Sequence, residues 1–508
     1  MTGIDDHDFP PLPSQWRHKR ASKRDKTINL NDASSMLSRA RGSISDLPDE
    51  LILEILDYLP GIHMDHFQLS TLWSLSATNR RFHRIVAERL YAKYDSHFCE
   101  PYTFLRTMVT NSHLADSVRN ISITNGRNAH ESRQRYNPSA QDKKIIKEGM
   151  RSLGIPNWKI WASDCNTPIV QMDILHSAIL MHARNVNSLT IHETWVEHPT
   201  EPKWIELLRR ASTGTNPGKV HNFTHLSSVR VNVGKLKLTQ LTPLFRLQQL
   251  RKLYLRDVHN HEVINDRSVS ALKRLLPSQC NNLAELHLEQ AFLNMDMLGI
   301  LLASPRTLNV FKYEVWADNV PQGMDPQHLM GTMRFSSVLS PQVHSLQDLY
   351  VMLDTIAESS VLRSIHILEC IAGMTKLQHL RCPMSTIIDG SGNMMPFIES
   401  LPASIQSWRT DVRQRSKLKD GTSALAQAAA YSRTKLPKLT RIHVDISPEH
   451  EEWHDYDWEA EVQAFSKTDV SFVVEREEVP DWPRARWESD ASSSSSWSSE
   501  EEVDLYSE

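Results

Sequence analysis

The sequence is poor in glycine and cysteine. Only 16 of its 508 residues are glycine, and neither a G-x-x-x-x-G-K-[ST] phosphate loop nor a G-x-S-x-G nucleophile elbow occurs. The five cysteines are widely spaced and include no C-x-x-C pair: Cys99, Cys165, Cys280, Cys370 and Cys382. We therefore expect neither a disulfide scaffold nor a cysteine zinc site, and we expect a reducing compartment.

An excess of one charge is also missing, because 57 basic residues face 61 acidic ones and the formal net charge is -4. This balance argues against a nucleic-acid surface over the whole chain. The apolar stretch 169–181 is interrupted by Gln171, Asp173 and His176, so no membrane span is expected. The chain is long for one compact domain, and its 40% hydrophobic content suffices for a sizeable core.

Both ends of the sequence are polar, and they differ in charge. Residues 1–43 carry a basic cluster without a hydrophobic period, which is typical of a disordered arm. The cluster fits a nuclear localisation signal or a weak contact with an anionic partner, and it equally fits a solvated arm. Residues 481–508 are predicted to be a disordered acidic tail that is rich in serine.

Residues 44–95 contain three short apolar periodicities that predict three helices. Pro48 stands where a first helical turn tolerates a missing N–H, and the Pro-Gly pair at 60–61 ends the first helix. Asn79 is a candidate N-cap of the third helix. A unit of about fifty residues is marginal as an isolated fold and usually leaves apolar surface for a partner.

At these residues the chain resembles the F-box family, and it looks most like the fungal F-box proteins. The resemblance rests on Leu-Pro-Asp-Glu-Leu at 47–51, Ile-Leu-x-x-Leu-Pro at 55–60 and Leu-x-x-Leu-x-x-x-x-Arg-Arg-Phe at 72–82. It implies docking on the Skp adaptor, which links F-box proteins to a cullin scaffold and its RING-bound ubiquitin-conjugating enzyme. The residues implied in adaptor binding are Leu47, Pro48, Leu51, Ile52, Ile55, Leu56, Leu59, Leu72, Leu75 and Phe82. An ordinary amphipathic helical hairpin is the alternative.

A degenerate repeat follows the three predicted helices. Ten segments have the form φ-x-x-φ-x-φ, where φ is mostly apolar, which is typical of the strand of a leucine-rich repeat. They begin at Val118, Val186, Leu226, Leu250, Leu283, Leu308, Leu346, Leu377, Ile405 and Leu439. Helical patterns such as 269–276 and 295–302 fill the gaps. The alternation predicts an α/β fold over residues 96–480, an irregular leucine-rich-repeat-like solenoid with a curved parallel sheet. Another α/β domain with buried strands is the alternative.

Two parts of this solenoid depart from the repeat. Residues 125–160 hold a polar run and then a candidate helix at 145–153, and we expect an insertion or a long loop there. Residues 445–486 are acidic and rich in tryptophan, and they are candidates for capping the open end of the solenoid. An alanine-rich helix is predicted at 424–431, before the last φ-x-x-φ-x-φ segment.

One segment matches a catalytic pattern. Residues 450–454 read His-Glu-Glu-Trp-His, and on a helix this spacing would present two imidazoles to zinc with Glu451 as general base. Pro448 lies just upstream and no third ligand is evident, so we expect His450 and His454 to be structural or exposed. We predict no catalytic residue, no cofactor and no metal site.

The residues between the apolar positions of each predicted strand should lie on the exposed, concave face of the sheet. Polar, charged and tyrosine residues occupy nearly all of these positions, as in any solvated face. Tyrosine and arginine are enriched at binding hot spots, which favours a recognition surface. The residues predicted to contact a target are Arg230, Lys252, Tyr254, Arg256, His287, Tyr350 and Arg381. With Glu285 and Glu289 nearby, they predict a mixed-charge groove that prefers an acidic or phosphorylated segment at its basic end.

Two classes of function remain open at this point. The first is a non-catalytic substrate-recognition subunit of a Skp-cullin-F-box ubiquitin ligase, which raises the effective concentration of a target protein near the charged enzyme. The second is a repeat scaffold outside any ligase, and a zinc hydrolase built on residues 450–454 is a further alternative. We expect the Skp adaptor, the cullin scaffold and an unidentified target protein as partners, in the cytoplasm, the nucleus or both.

Overall fold

The computed structural model describes residues 44, 47–58, 65–125, 136–167, 172–193, 201–258, 266–291, 293–315, 334–353, 368–383, 397–412, 418–446 and 456–476. The predicted basic arm, Leu59, the H-E-x-x-H segment and the predicted acidic tail lie outside these residues. Contacts divide the chain into two compact units, 1–346 and 347–508.

The first unit begins with the three helices that the sequence predicts. They are Asp49–Asp57 (α1), Asp65–Ser76 (α2) and Arg80–Ala92 (α3). Pro48 directly precedes α1, and Asp49 in its first turn suits the positive end of the helix dipole. Asn79 caps α3, because its side-chain oxygen accepts a hydrogen bond from the backbone N–H of Phe82 at 2.9 Å.

Strands then alternate with helical connections through the first unit. The strands are Lys93–Asp95 (β1), Asn120–Asn125 (β2), Ser188–Glu193 (β3), Ser228–Asn232 (β4), Lys252–Arg256 (β5), Glu285–Glu289 (β6) and Val310–Val315 (β7). Each strand pairs in parallel with the next, so their spatial order is their order in the chain. This one-dimensional arrangement, in which each repeat contacts its neighbours, is that of a solenoid.

Helices occupy the connections between these strands. They are Pro101–Thr110 (α4), Ser112–Ser117 (α5), Ala140–Ser152 (α6), Trp158–Cys165 (α7), Met172–His182 (α8), Lys203–Ser212 (α9), Thr242–Phe245 (α10), Asp266–Leu275 (α11), Met295–Ala303 (α12) and Phe335–Leu339 (α13), followed by a 3-10 turn at Ser340–Gln342. The described part of 125–160, where we expect an insertion or a long loop, contains α6 and the start of α7. Ile146 and Met150 of α6 are fully buried, so this part contributes to the core.

The second unit continues the same alternation. Its elements are Asp348–Leu353 (β8), Leu368–Ile371 (α14), His379–Arg381 (β9), Phe397–Ser400 (α15), Ser407–Val412 (β10), Leu418–Tyr431 (α16), Arg441–Ile446 (β11), Glu459–Ser466 (α17) and Ser471–Arg476 (β12). Each strand again pairs in parallel with the next. The helix predicted at 424–431 forms the second half of α16, and α17 with β12 follows the last predicted strand.

All ten φ-x-x-φ-x-φ segments form strands, and the three φ side chains of each are at most 5% exposed. The first φ residue precedes its strand by two positions, as Leu250 precedes β5, and the other two lie within the strand, except that Cys382 directly follows β9. Burying one such leucine, isoleucine or valine stabilises the fold by about 1.5–3 kcal/mol. The predicted α/β class and leucine-rich-repeat-like solenoid are therefore confirmed.

A backbone ladder joins neighbouring repeats just before each strand. The residue after the first φ position offers a carbonyl that accepts two N–H groups of the next repeat: Asn187 accepts from Ser227 at 2.9 Å and from Ser228 at 3.1 Å. The same double acceptance occurs at Arg119, Ser227, Arg251, Ala284, Gln347, Gln378 and Gln406. These bonds satisfy backbone groups at the entry to each strand and join each repeat to the next.

Among the described residues, no helix combines the length and the apolar character needed to cross a membrane.

Candidate functional site

Apolar side chains from α1, α2 and α3 form one small core. Its buried members are Ile52, Leu56, Leu72, Phe82, Ile85 and Val86, and Leu47, Leu53, Leu75 and Leu90 pack against them partly buried. Four of the residues predicted to bind the adaptor, namely Ile52, Leu56, Leu72 and Phe82, are at most 5% exposed. Because they are enclosed, these four residues hold the helices together and offer no contact surface in this conformation.

Another face of α1 is apolar and open to solvent. Leu51 and Ile55 lie one helical turn apart and are each 45% exposed, and Tyr58 directly after the helix is 81% exposed. Together these three residues form what we call the α1 stripe. Pro48 is also exposed, at the start of the same helix. Clustered apolar exposure of this kind is typical of a contact surface. Leu51, Ile55 and Pro48 are exposed members of the predicted adaptor site, whereas Tyr58 was not predicted from the sequence.

Ion pairs fix the start of α1 against α3. The carboxylate of Asp49 lies 2.7 Å from a guanidinium nitrogen of Arg81 and 2.7 Å from one of Arg84. Arg81 also donates a hydrogen bond to the backbone carbonyl of Leu47. The hydrogen bond from Arg81 holds the pKa of Asp49 below its usual value. The α1 stripe therefore sits on a helix whose position is set both by a core and by charge.

On the sheet of the first unit, three residues predicted to contact a target lie side by side. Arg230 aligns with Tyr254, and Tyr254 with His287, on β4, β5 and β6. The guanidinium carbon of Arg230 lies 4.9 Å from the centre of the Tyr254 ring, and the rings of Tyr254 and His287 are 4.3 Å apart. Burial lowers the pKa of His287, so this imidazole is neutral at neutral pH. These contacts form one stack across three strands.

Lysines on the same face are paired with carboxylates. The ammonium nitrogen of Lys252 lies 2.7 Å from a carboxylate oxygen of Glu285, and that of Lys312 lies 3.5 Å from Glu289 and 2.8 Å from Glu314. The hydrogen bond to Glu285 raises the pKa of Lys252. The predicted mixed charge is therefore present, but in this structure the charge of Lys252 is compensated within the sheet.

The arginines behave differently, since neither Arg230 nor Arg256 has a carboxylate partner among the residues that the structure describes. The Nε atom of Arg256 donates to the side-chain oxygen of Gln290 at 2.7 Å, and Arg230 rests on the Tyr254 ring. Arg256 aligns with Asn232 on β4, and Asn232 aligns with His192 on β3. We call Arg230, Arg256, Asn232 and His192 the arginine site.

His192 was not among the residues predicted from the sequence. Burial lowers its pKa; the neighbouring His97, Arg230 and Arg256 lower it further, and the Asp95 carboxylate raises it. The register places His192 in line with Asn232 and Arg256 on the next two strands. The signal was available in the register, because His192 stands directly after the last φ residue of its strand, as Asn232 and Arg256 do in theirs.

The two predicted contact residues of the second unit also meet. The guanidinium carbon of Arg381 lies 4.7 Å from the ring centre of Tyr350. A guanidinium nitrogen of Arg381 is 3.1 Å from Asp411 and 3.1 Å from Asp445, whose side chains are 6% and 2% exposed. Because its charge is compensated by buried carboxylates, Arg381 holds the sheet together, and Tyr350 is the more available of the two for a partner.

Three side chains of the second unit could geometrically hold a cation. One ligand atom each of His443, Asp445 and Glu475 lies within 4.8 Å of the others. However, both carboxylate oxygens of Asp445 already accept hydrogen bonds from Arg409, at 2.5 and 2.6 Å. A guanidinium thus supplies the positive charge at this point, and it would repel a divalent ion placed beside it. The histidines of the H-E-x-x-H match lie outside the described residues, so the expectation for them stays a prediction.

Comparison with known proteins agrees with the N-terminal assignment. The family model described as F-box-like matches residues 44–97. No curated protein matches the chain significantly. Among solved structures, an internalin (InlF) from Listeria monocytogenes matches with 13% sequence identity and a TM-score of 0.27, over 74% of this chain and 94% of that one. The three helices and the α1 stripe therefore belong to an F-box-like domain.

Proposed function

We propose that this chain is the substrate-recognition subunit of a Skp-cullin-F-box ubiquitin ligase. Its F-box-like domain docks on the Skp adaptor, the adaptor joins it to the cullin scaffold, and the solenoid holds a target protein. The observation that carries this proposal is the α1 stripe, an exposed apolar surface on a domain that matches the F-box-like family. The resemblance to fungal F-box proteins belongs to the same proposal.

The stripe has the properties of a docking surface. Leu51, Ile55 and Tyr58 offer two aliphatic side chains and one aromatic side chain, and the core beneath them keeps α1 from rearranging. A preformed helix loses little conformational entropy on binding, so this ordering cost takes little from the free energy that apolar burial supplies. We expect a complex of micromolar affinity or tighter.

The solenoid contributes recognition and no chemistry in this proposal. Its exposed sheet face presents tyrosine and arginine side chains, which are enriched at binding hot spots. A bound target is thereby held near the ubiquitin-charged enzyme, which raises its effective concentration there. The chain then works where the ligase works, in the cytoplasm, the nucleus or both.

The test is adaptor binding by a variant with Leu51→Asp and Ile55→Asp. Placing two carboxylates in an apolar contact costs several kcal/mol, so the complex should be lost. Ile160 on α7 and Val462 on α17 are also exposed, at 58% and 49%, and they provide the matched control. The Ile160→Asp and Val462→Asp double variant adds the same charge outside the F-box-like domain and should bind the adaptor like the parent chain.

Binding is measured by titrating purified Skp adaptor into each full-length chain, with circular dichroism confirming that the helices persist. If the variant at Leu51 and Ile55 keeps its affinity with its fold intact, the stripe is not the docking surface. If the parent chain itself does not bind the adaptor, the ligase assignment is wrong, and a repeat scaffold outside any ligase becomes the better supported function.

A further inference from the structure

Neither arginine of the arginine site forms an ion pair with a described carboxylate. Glu289 on β6 aligns with Arg256, but Glu289 and Glu314 lie within ion-pair distance of Lys312, and Glu285 pairs with Lys252. Arg256 donates to a neutral amide and Arg230 lies over an aromatic ring. Guanidinium groups form their strongest contacts with carboxylates and phosphates, so the two side chains retain most of their capacity to bind an anion.

Two buried polar atoms on the same strands also lack a hydrogen-bond partner among the described residues. They are the side-chain oxygen of Asn232, which is an acceptor, and the Nε2 atom of His287. A buried polar atom without a partner is destabilising, and each such atom in a native structure calls for an explanation. A peptide segment with acidic side chains brings negative charge for the arginines and a backbone N–H for the Asn232 oxygen.

The spacing of the arginines indicates which anion fits. Arg230 aligns with Tyr254, and Arg256 lies two residues further along the same neighbouring strand. With strands about 4.8 Å apart and a rise of about 3.3 Å per residue, the two Cα atoms are about 8 Å from each other. Alternate residues of an extended peptide lie about 6.5 Å apart on one side of the chain. One acidic side chain can therefore meet each arginine when the two stand at alternate positions of the bound segment.

We propose that the arginine site binds an extended acidic segment of a target protein, with carboxylates at alternate positions paired to Arg230 and Arg256. The Asn232 side chain accepts a backbone N–H of that segment. The stack of Arg230, Tyr254 and His287 holds one guanidinium in place before binding, which reduces the entropy that the contact costs. This inference rests on the proposed target-binding function and names the chemistry of the target; of the basic residues predicted for the groove, it retains Arg230 and Arg256 and leaves out Lys252, which is already paired.

The test uses the full-length chain and a fluorescein-labelled ten-residue glycine-serine peptide with glutamates at two alternate positions. Fluorescence anisotropy is measured at a salt concentration of about 50 mM, where charge contacts are weakly screened. Arg230→Gln with Arg256→Gln should weaken binding by about 10-fold or more. Lys252→Gln with Lys312→Gln removes the same net charge from residues that are already paired, and it should weaken binding by less than about 3-fold.

Several outcomes would overturn the proposal. One is an equal loss of affinity in the two double variants, and another is no binding of the peptide by the parent chain. A third is tighter binding of a peptide whose two glutamates are adjacent, or of one with a single phosphoserine, than of the peptide with alternate glutamates. The fourth is tighter binding of a short oligouridine than of that peptide. Because the titration contains no adaptor, it is independent of the ligase assignment. A chain that binds the peptide through its arginines but fails to bind the adaptor would retain this inference and lose the ligase role.

Discussion

Arg409 donates two hydrogen bonds to Asp445 on the neighbouring strand, from Nε to Oδ2 at 2.5 Å and from Nη2 to Oδ1 at 2.6 Å. The Asp445 side chain is only 2% exposed, and a guanidinium nitrogen of Arg381 lies 3.1 Å from the same Oδ2 atom. Although burial alone would raise the pKa of Asp445, these arginines hold it below its usual value. The carboxylate is thus charged, enclosed and dependent on its partners.

Arg409→Met should therefore destabilise the second unit. Removing Arg409 leaves the enclosed Asp445 carboxylate with Arg381 as its remaining arginine partner, and we expect a loss of up to about 3 kcal/mol. Lys435 and Glu399 form an exposed pair at 3.2 Å, so Lys435→Met should cost less than about 1 kcal/mol. Urea unfolding of each variant checks the difference, and similar losses at the two positions would show that burial does not set the strength of the pair.

Gly149 allows α6 to pack closely on α4. A Cβ atom at this position would lie 2.6 Å from one methyl carbon of Val109 and 2.7 Å from the other. Valine has one strongly preferred rotamer in a helix and cannot turn aside, so Gly149→Ala should destabilise the first unit by about 1–3 kcal/mol. Adding Val109→Ala should recover part of that loss. Thermal unfolding of both single variants and the double variant measures the coupling, and additive losses would contradict the clash.

Ten strands of the solenoid could be predicted because burial of their three φ side chains requires a recognisable φ-x-x-φ-x-φ pattern. The sequence did not predict β1 and β12, and the register explains why. Asp469 takes the place of the first φ residue of β12, two positions before its strand begins, and Ser96 takes the place of the third φ residue of β1. Among the described residues, β1 and β12 each pair with one strand only, so the patterns of these two repeats are under weaker constraint.

For the candidate sites, the sequence predicts which residue types are present but not which side chains are exposed or unpaired. Sequence periodicity identifies an apolar helix in α1, but it cannot say which apolar side chains face the core. The structure places Ile52 and Leu56 inside and Leu51 and Ile55 outside. Charge counting identifies basic residues on the sheet, but only side-chain geometry shows that Lys252 is paired. The chemistry of a surface depends on the charges that remain after internal pairing.

A buried histidine gives the first unit a predictable response to pH. Burial lowers the pKa of His182 to about 4, with help from the positive charge of Arg184. An unfolded histidine has a pKa of about 6.5. As the pH falls from 6.5 toward 4, His182 therefore becomes protonated in the unfolded chain while it stays neutral in the folded chain. The free energy of unfolding should decrease through this window by up to about 3 kcal/mol.

His182→Gln removes this titration, so the dependence of stability on pH between 6.5 and 4 should flatten. His225 is exposed, and His225→Gln serves as the control that should keep the slope of the parent chain. Urea unfolding at several pH values measures both. An unchanged slope in the His182 variant would mean that another group causes the loss of stability.

Leu56 and Leu51 lie close together on α1 but serve different purposes, and alanine at each position separates them. Leu56 is 5% exposed and Leu51 is 45% exposed. Leu56→Ala should cost about 2–4 kcal/mol of stability in the F-box-like domain, because it leaves a cavity. Leu51→Ala should cost less than about 1 kcal/mol of stability and yet weaken adaptor binding by about 10-fold. Thermal unfolding without the adaptor, followed by adaptor titration, measures the two quantities separately. Equal destabilisation by the two substitutions would mean that Leu51 belongs to the core, and the α1 stripe would then be too small to dock a partner.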